Sequence, residues 1–164
     1  MCDPIRQQSR QRFHAIELEH RRAIEELYLN FPFLRGRMEI HLPYSRAKNI
    51  LSNDPAWVWA NFDKRPTSYL IFLKGSPVCL WSPDRQEGQT FRWMTPPNFT
   101  ENGATVCLAN LLTGESVLQI EDILISKGQN IWSHQKFSER WRELLTLWDS
   151  MPTEQPLLTC KPLS

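Results

Sequence analysis

Ser68-Tyr69-Leu70-Ile71-Phe72-Leu73-Lys74-Gly75-Ser76-Pro77-Val78-Cys79-Leu80-Trp81 is the stretch that decides the fold. Two runs of apolar, aromatic and β-branched residues flank Lys74-Gly75-Ser76-Pro77, a turn composition, so the spacing predicts a β-hairpin. Downstream, Phe91-Arg92-Trp93-Met94 reads as a third short strand after a polar loop from Ser82 to Thr90. A loop from Thr95 to Gly103 then leads to two long strands, Thr105 to Leu112 and Val117 to Ile125, joined by Thr113-Gly114-Glu115. Upstream, Trp57-Val58-Trp59-Ala60-Asn61-Phe62 alternates with period two and follows the Asn53-Asp54-Pro55 turn. The middle of the chain is therefore expected to be a mostly antiparallel meander.

Both ends of this meander carry helical patterns. Residues 5 to 31 place Ile5, Phe13, Ile16, Ile24, Leu27, Tyr28 and Phe31 mainly at three- and four-residue steps, which predicts an amphipathic helix ending at Phe31-Pro32. Leu34 to Pro43 reads as irregular or a short strand. Ser45 is placed to cap a brief helix over Arg46-Ala47-Lys48-Asn49-Ile50-Leu51. After Lys127-Gly128-Gln129-Asn130, the residues Phe137, Trp141, Leu144, Leu145 and Trp148 form a helical stripe from about 136 to 150. The expected fold class is α+β: a mostly antiparallel sheet flanked by an N-terminal and a C-terminal helix. One domain is expected over 1–151, with a helical part at 1–54 and the sheet and last helix at 56–150. Residues 152–164, with three prolines and no periodicity, read as a loose tail.

Composition narrows the function classes. The 164 residues are 41% hydrophobic, with seven Trp and eight Phe, enough apolar bulk for a core. Formal charge is +1, so any nucleic-acid contact must come from a local patch and not from the field of the whole molecule. Cys2, Cys79, Cys107 and Cys160 form no C-x-x-C pair and no ligand spacing with His14, His20, His41 or His134, so neither a zinc site nor another metal or cofactor is expected. Cys79 and Cys107 lie in apolar runs where a free thiol acts as a small hydrophobe, and the first residues are polar and Arg-rich. An intracellular, reducing location, cytoplasmic or nuclear, is expected. No run approaches the roughly 20 apolar residues that span a bilayer, so no membrane association is expected.

Three segments between about 56 and 150 resemble the first half of the nucleotidyltransferase domain shared by mRNA guanylyltransferases and polynucleotide ligases. Ala56-Trp57-Val58 through Tyr69-Leu70-Ile71-Phe72 and Val78-Cys79-Leu80-Trp81 is similar to the region in which a K-x-D-G lysine attacks the nucleotide and the next strands follow. Thr105-Val106-Cys107-Leu108-Ala109-Asn110 resembles the T-x-L-D-G-E-L strand. Val117 to Ile125, then Gly128, then Phe137-Ser138-Glu139-Arg140-Trp141, resembles Y-L-I-F-D-I-L, N-G and a helix beginning near F-x-x-R. In one register Asp63, Arg65 and Pro66 stand at the lysine, aspartate and glycine of K-x-D-G. In the next, Lys64 takes the lysine's place but Pro66 and Thr67 replace aspartate and glycine. Leu108 and Asn110 stand at the D and E of D-G-E. The E-G strand and the lysine-rich K-W/Y-K strand find no counterpart. The resemblance thus implies a truncated, catalytically inert relative, similar in kind to the cap-binding domain of snurportin, which reads a methylated guanine by aromatic stacking. Such relatives fit viral genomes, acting within an infected cell, as well as cellular ones.

The candidate contacts follow from this. Trp57 and Trp59 alternate on one strand and share a face, where two aromatics can stack a base or pack the sheet on the first helix. Trp81 and Trp93 carry the same two readings. Lys64 and Arg65 on the turn into the hairpin, and the group Arg35, Arg37, Arg46 and Lys48, offer charge to phosphates or to solvent. Asp122, at the retained acidic position, is either a site residue or a structural charge, at a sheet edge or partnered by an arginine, since an unpaired carboxylate in an apolar strand is costly. Glu139 to Glu143 read as a solvated face with one buried aromatic. Three roles are weighed: binding of a nucleotide, mRNA cap or RNA end through Trp57, Trp59, Lys64, Arg65 and Asp122; a scaffold that self-associates or docks on a partner chain completing the fold; and an mRNA guanylyltransferase using Lys64 as nucleophile.

Overall fold

The computed structural model describes residues 13–15, 17–35, 43–53, 68–112, 117–151 and 159–162. Its elements, in chain order, are β1 (Phe13–Ala15), α1 (Leu18–Asn30), a 3-10 turn (Pro32–Leu34), α2 (Tyr44–Asn53), β2 (Ser68–Phe72), β3 (Pro77–Ser82), β4 (Glu87–Met94), a second 3-10 turn (Pro97–Thr100), β5 (Thr105–Leu112), β6 (Val117–Ser126), β7 (Gln129–Asn130), α3 (Phe137–Asp149) and β8 (Thr159–Pro162). The strands form one sheet in the order β1-β4-β3-β2-β5-β6-β7, with β8 paired to β6. Every pairing is antiparallel except that of β8 with β6. The class is α+β.

The hairpin of β2 and β3 forms as its sequence predicts, with Tyr69 opposite Trp81 and Ile71 opposite Cys79. Four consecutive β2 residues, Tyr69 to Phe72, are buried because the sheet is covered on both faces. Leu70 and Phe72 join Val78, Leu80, Phe91, Cys107 and Ala109 beneath Leu144 and Leu147 of α3. Tyr69 and Ile71 join Cys79, Trp81, Val106 and Leu108 beneath Ile24, Leu27 and Tyr28 of α1. Each large side chain so buried contributes about 1.5–3 kcal/mol, which is why α1 stays in place without a side-chain cap at Glu17.

β6 carries two bulges. The register steps from Ala109↔Ile120 to Leu108↔Asp122, which makes Glu121 an extra residue, and from Cys107↔Ile123 to Val106↔Ile125, which makes Leu124 another. A bulge sharpens the local twist and re-aims side chains, and this one sets Glu121 and Asp122 apart from the apolar run around them.

Several expectations are corrected. Phe13–Ala15, taken as helical, pair with Phe91, Thr90 and Gln89 as an edge strand. The second helix begins at Tyr44, so Ser45 lies inside it and is not its cap. The polar loop expected over Ser82–Thr90 is only a short turn, and β4 starts at Glu87. On α3 the buried stripe is Arg140, Leu144 and Leu147, while Leu145 is 38% exposed. Part of the expected loose tail returns as β8, in register from Val117↔Thr159 to Ile120↔Pro162. The predicted strand at 57–62 lies outside the described residues. Among the described residues, no helix is long and apolar enough to cross a membrane.

Candidate functional site

Of the candidate contacts, Trp57, Trp59, Lys64 and Arg65 lie outside the described residues, as does Arg37. Asp122 is in view. Its two carboxylate oxygens accept from Nε and Nη2 of Arg140, each at 2.9 Å, and Oδ1 also accepts the Ile123 N–H at 2.8 Å. Residue and partner are each 8% exposed. The Arg140 guanidinium donates its Nη1 to the Gln135 carbonyl at 2.8 Å and lies 4.7 Å from the Trp132 ring centre and 5.6 Å from that of Phe137. Of the two readings of Asp122, the structure displays the arginine partner. The same pair corrects the reading of 139–143 as a solvated face.

Pairing across the sheet puts Gly88, Trp81, Tyr69, Leu108 and Asp122 in one row. Beyond that row lies one end of the sheet, where Ser82 pairs with Glu87, β2 begins with Ser68 beside Ala109, and Asn110 stands opposite Gln119. Gln119 in turn pairs with Lys161 of β8. Lys64 and Arg65 precede Ser68 by only a few residues of sequence. Asn110 donates its side-chain N–H to Glu121 Oε1. It is 4% exposed, and its Oδ1 finds no hydrogen-bond partner among the described residues, a cost that native folds rarely leave in place. Leu108 is 4% exposed within the core under α1.

On that same face, Trp81 donates its Nε1–H to the Tyr28 hydroxyl at 2.6 Å, and the Tyr69 hydroxyl donates to the Leu34 carbonyl at 2.7 Å. The core reading of Trp81 thus holds, at 3% exposure. Trp93 is only partly buried and packs edge-on against Phe72, with ring centres 6.0 Å apart. Burial raises the Tyr28 pKa above its ordinary value, against the opposing effects of the bonds to Trp81 and Gln86 and the nearby Arg35 charge. Arg21 and Arg35 flank this pair, with guanidinium carbons 5.7 Å from the Trp81 ring centre and 5.5 Å from that of Tyr28. Arg46 and Lys48 are exposed on α2. Sequence reasoning missed Arg21 because its contact Gln86 lies 65 residues further along the chain, with Trp81 close before it, and no local spacing announces either.

Cys79 and Cys107 are buried thiols outside any disulfide, and burial pushes the Cys79 thiol up to about 12. Among the described residues, no group of three or more His, Cys, Asp or Glu is arranged to hold a metal ion. Compared with known proteins, the chain matches no family model and no curated sequence.

Proposed function

We propose that this chain is a non-catalytic, nucleotidyltransferase-like domain that binds a nucleotide, an mRNA cap or an RNA end inside the cell. The observation that carries the reading is the Asp122–Arg140 pair. The two polar positions of the longest stretch of resemblance, one on β6 and one in the first turn of α3, meet as a buried bidentate bond. A strand, a Gly128 turn and a helix locked by that bond support kinship at the level of architecture. Leu108 in the core and Asn110 at the sheet end leave no carboxylate at the positions where nucleotide transfer would use two. The reading is therefore of binding and not of transfer by Lys64.

The ligand is assigned to the sheet end where β2 begins, with Trp57 and Trp59 stacking the base at about 1–3 kcal/mol each and Lys64 and Arg65 facing phosphates. Asp122 serves there as a brace for β6 and not as a direct contact. Titration of intrinsic Trp fluorescence with a methylated cap dinucleotide beside plain GTP tests this. Saturable quenching that Trp57→Ala abolishes is expected, and a flat response to both ligands sinks the reading. Denaturing mass spectrometry after incubation with GTP and metal is expected to show no adduct on Lys64.

A second reading, a scaffold that self-associates or docks on a partner chain, is favoured by Leu18, Leu29 and Tyr44, which are 62%, 73% and 83% exposed. Sedimentation of the full chain separates the two, since a scaffold self-associates or binds a partner without any response to nucleotide.

A further inference from the structure

We infer that Arg21 and Arg35 form a phosphate-binding clamp built on the buried Tyr28–Trp81 pair, and that its occupant is the backbone phosphate of a single-stranded nucleic acid. Trp81 and Tyr28 are 3% and 6% exposed and joined by the 2.6 Å hydrogen bond, so their rings are fixed by the core. Arg21, two turns before Tyr28 on the same face of α1, lays its guanidinium over Trp81 and donates Nη1 to the Gln86 carbonyl at 3.2 Å. The turn that presents this carbonyl is itself held, with Gln86 at φ 54° and its Nε2 donating to Pro83 at 2.5 Å. Arg35, just past the 3-10 turn, lies over Tyr28.

Both arginines are exposed, and no ion pair among the described residues joins either to a carboxylate. A guanidinium carries its N–H donors in one plane, and beyond the Arg21 Nη1–H given to Gln86 such planar donors are suited to gripping phosphate oxygens two at a time. Most of the rotamer entropy that a free arginine loses on binding has already been spent in stacking. Two like charges held around one small aromatic pair, with no carboxylate among the described residues paired to either, are a standing repulsion that an anion relieves. Glu17 at the start of α1 and Glu25 within it lie one turn from Arg21, and neither forms an ion pair with it.

The inference rests on the proposed binding of an RNA end and deepens it, while its test reads Arg21 and Arg35 where the cap titration reads Trp57. The probe is a short 5′-phosphorylated oligouridylate labelled at its 3′ end, followed by anisotropy at ~50 and ~200 mM salt. Arg21→Gln with Arg35→Gln is expected to weaken binding at least about tenfold at the lower salt and to flatten the slope of log affinity against log salt by about 1.4, two contacts at about 0.7 each. Arg21→Lys with Arg35→Lys keeps the charge without the planar fork, and is expected to recover the slope but not the full affinity. Should the double glutamine variant fail to fold by near-ultraviolet dichroism, Arg35→Gln alone is expected to lose about 0.7 of slope. Unchanged affinity and slope in a folded variant overturns the clamp, and so does undetectable binding by the wild-type protein at ~50 mM salt. Displacement by inorganic phosphate at matched ionic strength would make the free anion, and not a strand, the occupant.

Discussion

Truncating Asp122 to alanine strands the Arg140 guanidinium between Trp132 and Phe137 with only the Gln135 carbonyl to answer it. Removing one member of a buried pair typically costs about 3–5 kcal/mol, because the remaining charge stays desolvated. Asp122→Ala and Arg140→Ala are each expected to fall in that range by urea unfolding, and the double variant to lose less than the sum of the two. If the two losses simply added, the pair would not be acting as a unit. Asp122 also shows how far single residues can be read from sequence. That a carboxylate amid Ile120, Ile123 and Leu124 needs a partner was legible, but which partner was not. Arg140 looked like one of several solvated charges on an exposed helix face, and only the depth at which α3 sits on the sheet shows otherwise.

At the scale of elements, the loop before β5 and the turn after β6 touch backbone to backbone. A Cβ on Gly128 would lie 2.6 Å from the Asn102 carbonyl oxygen and 3.1 Å from Gly103 Cα, and Gly128 has φ +83°. The Gly128 N–H donates to the Ala104 carbonyl at 2.8 Å, so the two segments cannot simply part. Gly128→Ala is expected to lower stability by at least about 1–3 kcal/mol from backbone strain alone, read as a fall in Tm, whereas Gly75→Ala, which meets nothing within 4 Å, should lose only the strain part. The long apolar strands and the last helix were legible because period and composition agree there. β1 was not. Phe13 to Ala15 fit a helical period equally well, and only the open edge of β4, a long-range partner, draws them into the sheet. The four-residue β8 was hidden for the same reason, as the three prolines of residues 152–164 speak for a loop and its pairing depends on an edge of β6. Of the candidate site, the strand that carries Asn110 was legible, while the arginines beside Trp81 depend on contacts made across the fold.

For the whole molecule, burial on both faces of the sheet sets the response to pH. Cys79 has its pKa raised from 9.0 to about 12 by desolvation, and that of Tyr28 is raised for the same first cause. An acid whose folded pKa stands above the unfolded value keeps its proton where the unfolded chain gives it up. Its contribution is therefore whole below the unfolded pKa and is lost as pH rises through the folded one. Urea midpoints are expected to hold level at neutral pH and to fall progressively from about pH 9 towards 12, and Cys79→Ala should remove part of that decline. A midpoint that instead rises with alkalinity would mean the thiol is not buried as described. The parallel strand β8 carries a further consequence, for biosynthesis. β6 leaves the ribosome before α3 and before its neighbour β8, so its outer edge from Val117 to Ile120 must wait through the making of a whole helix for residues 159–162 to reach it. During that interval a nascent chain offers a ready-made seam to any other extended segment nearby, and translation speed over the last stretch becomes a determinant of yield.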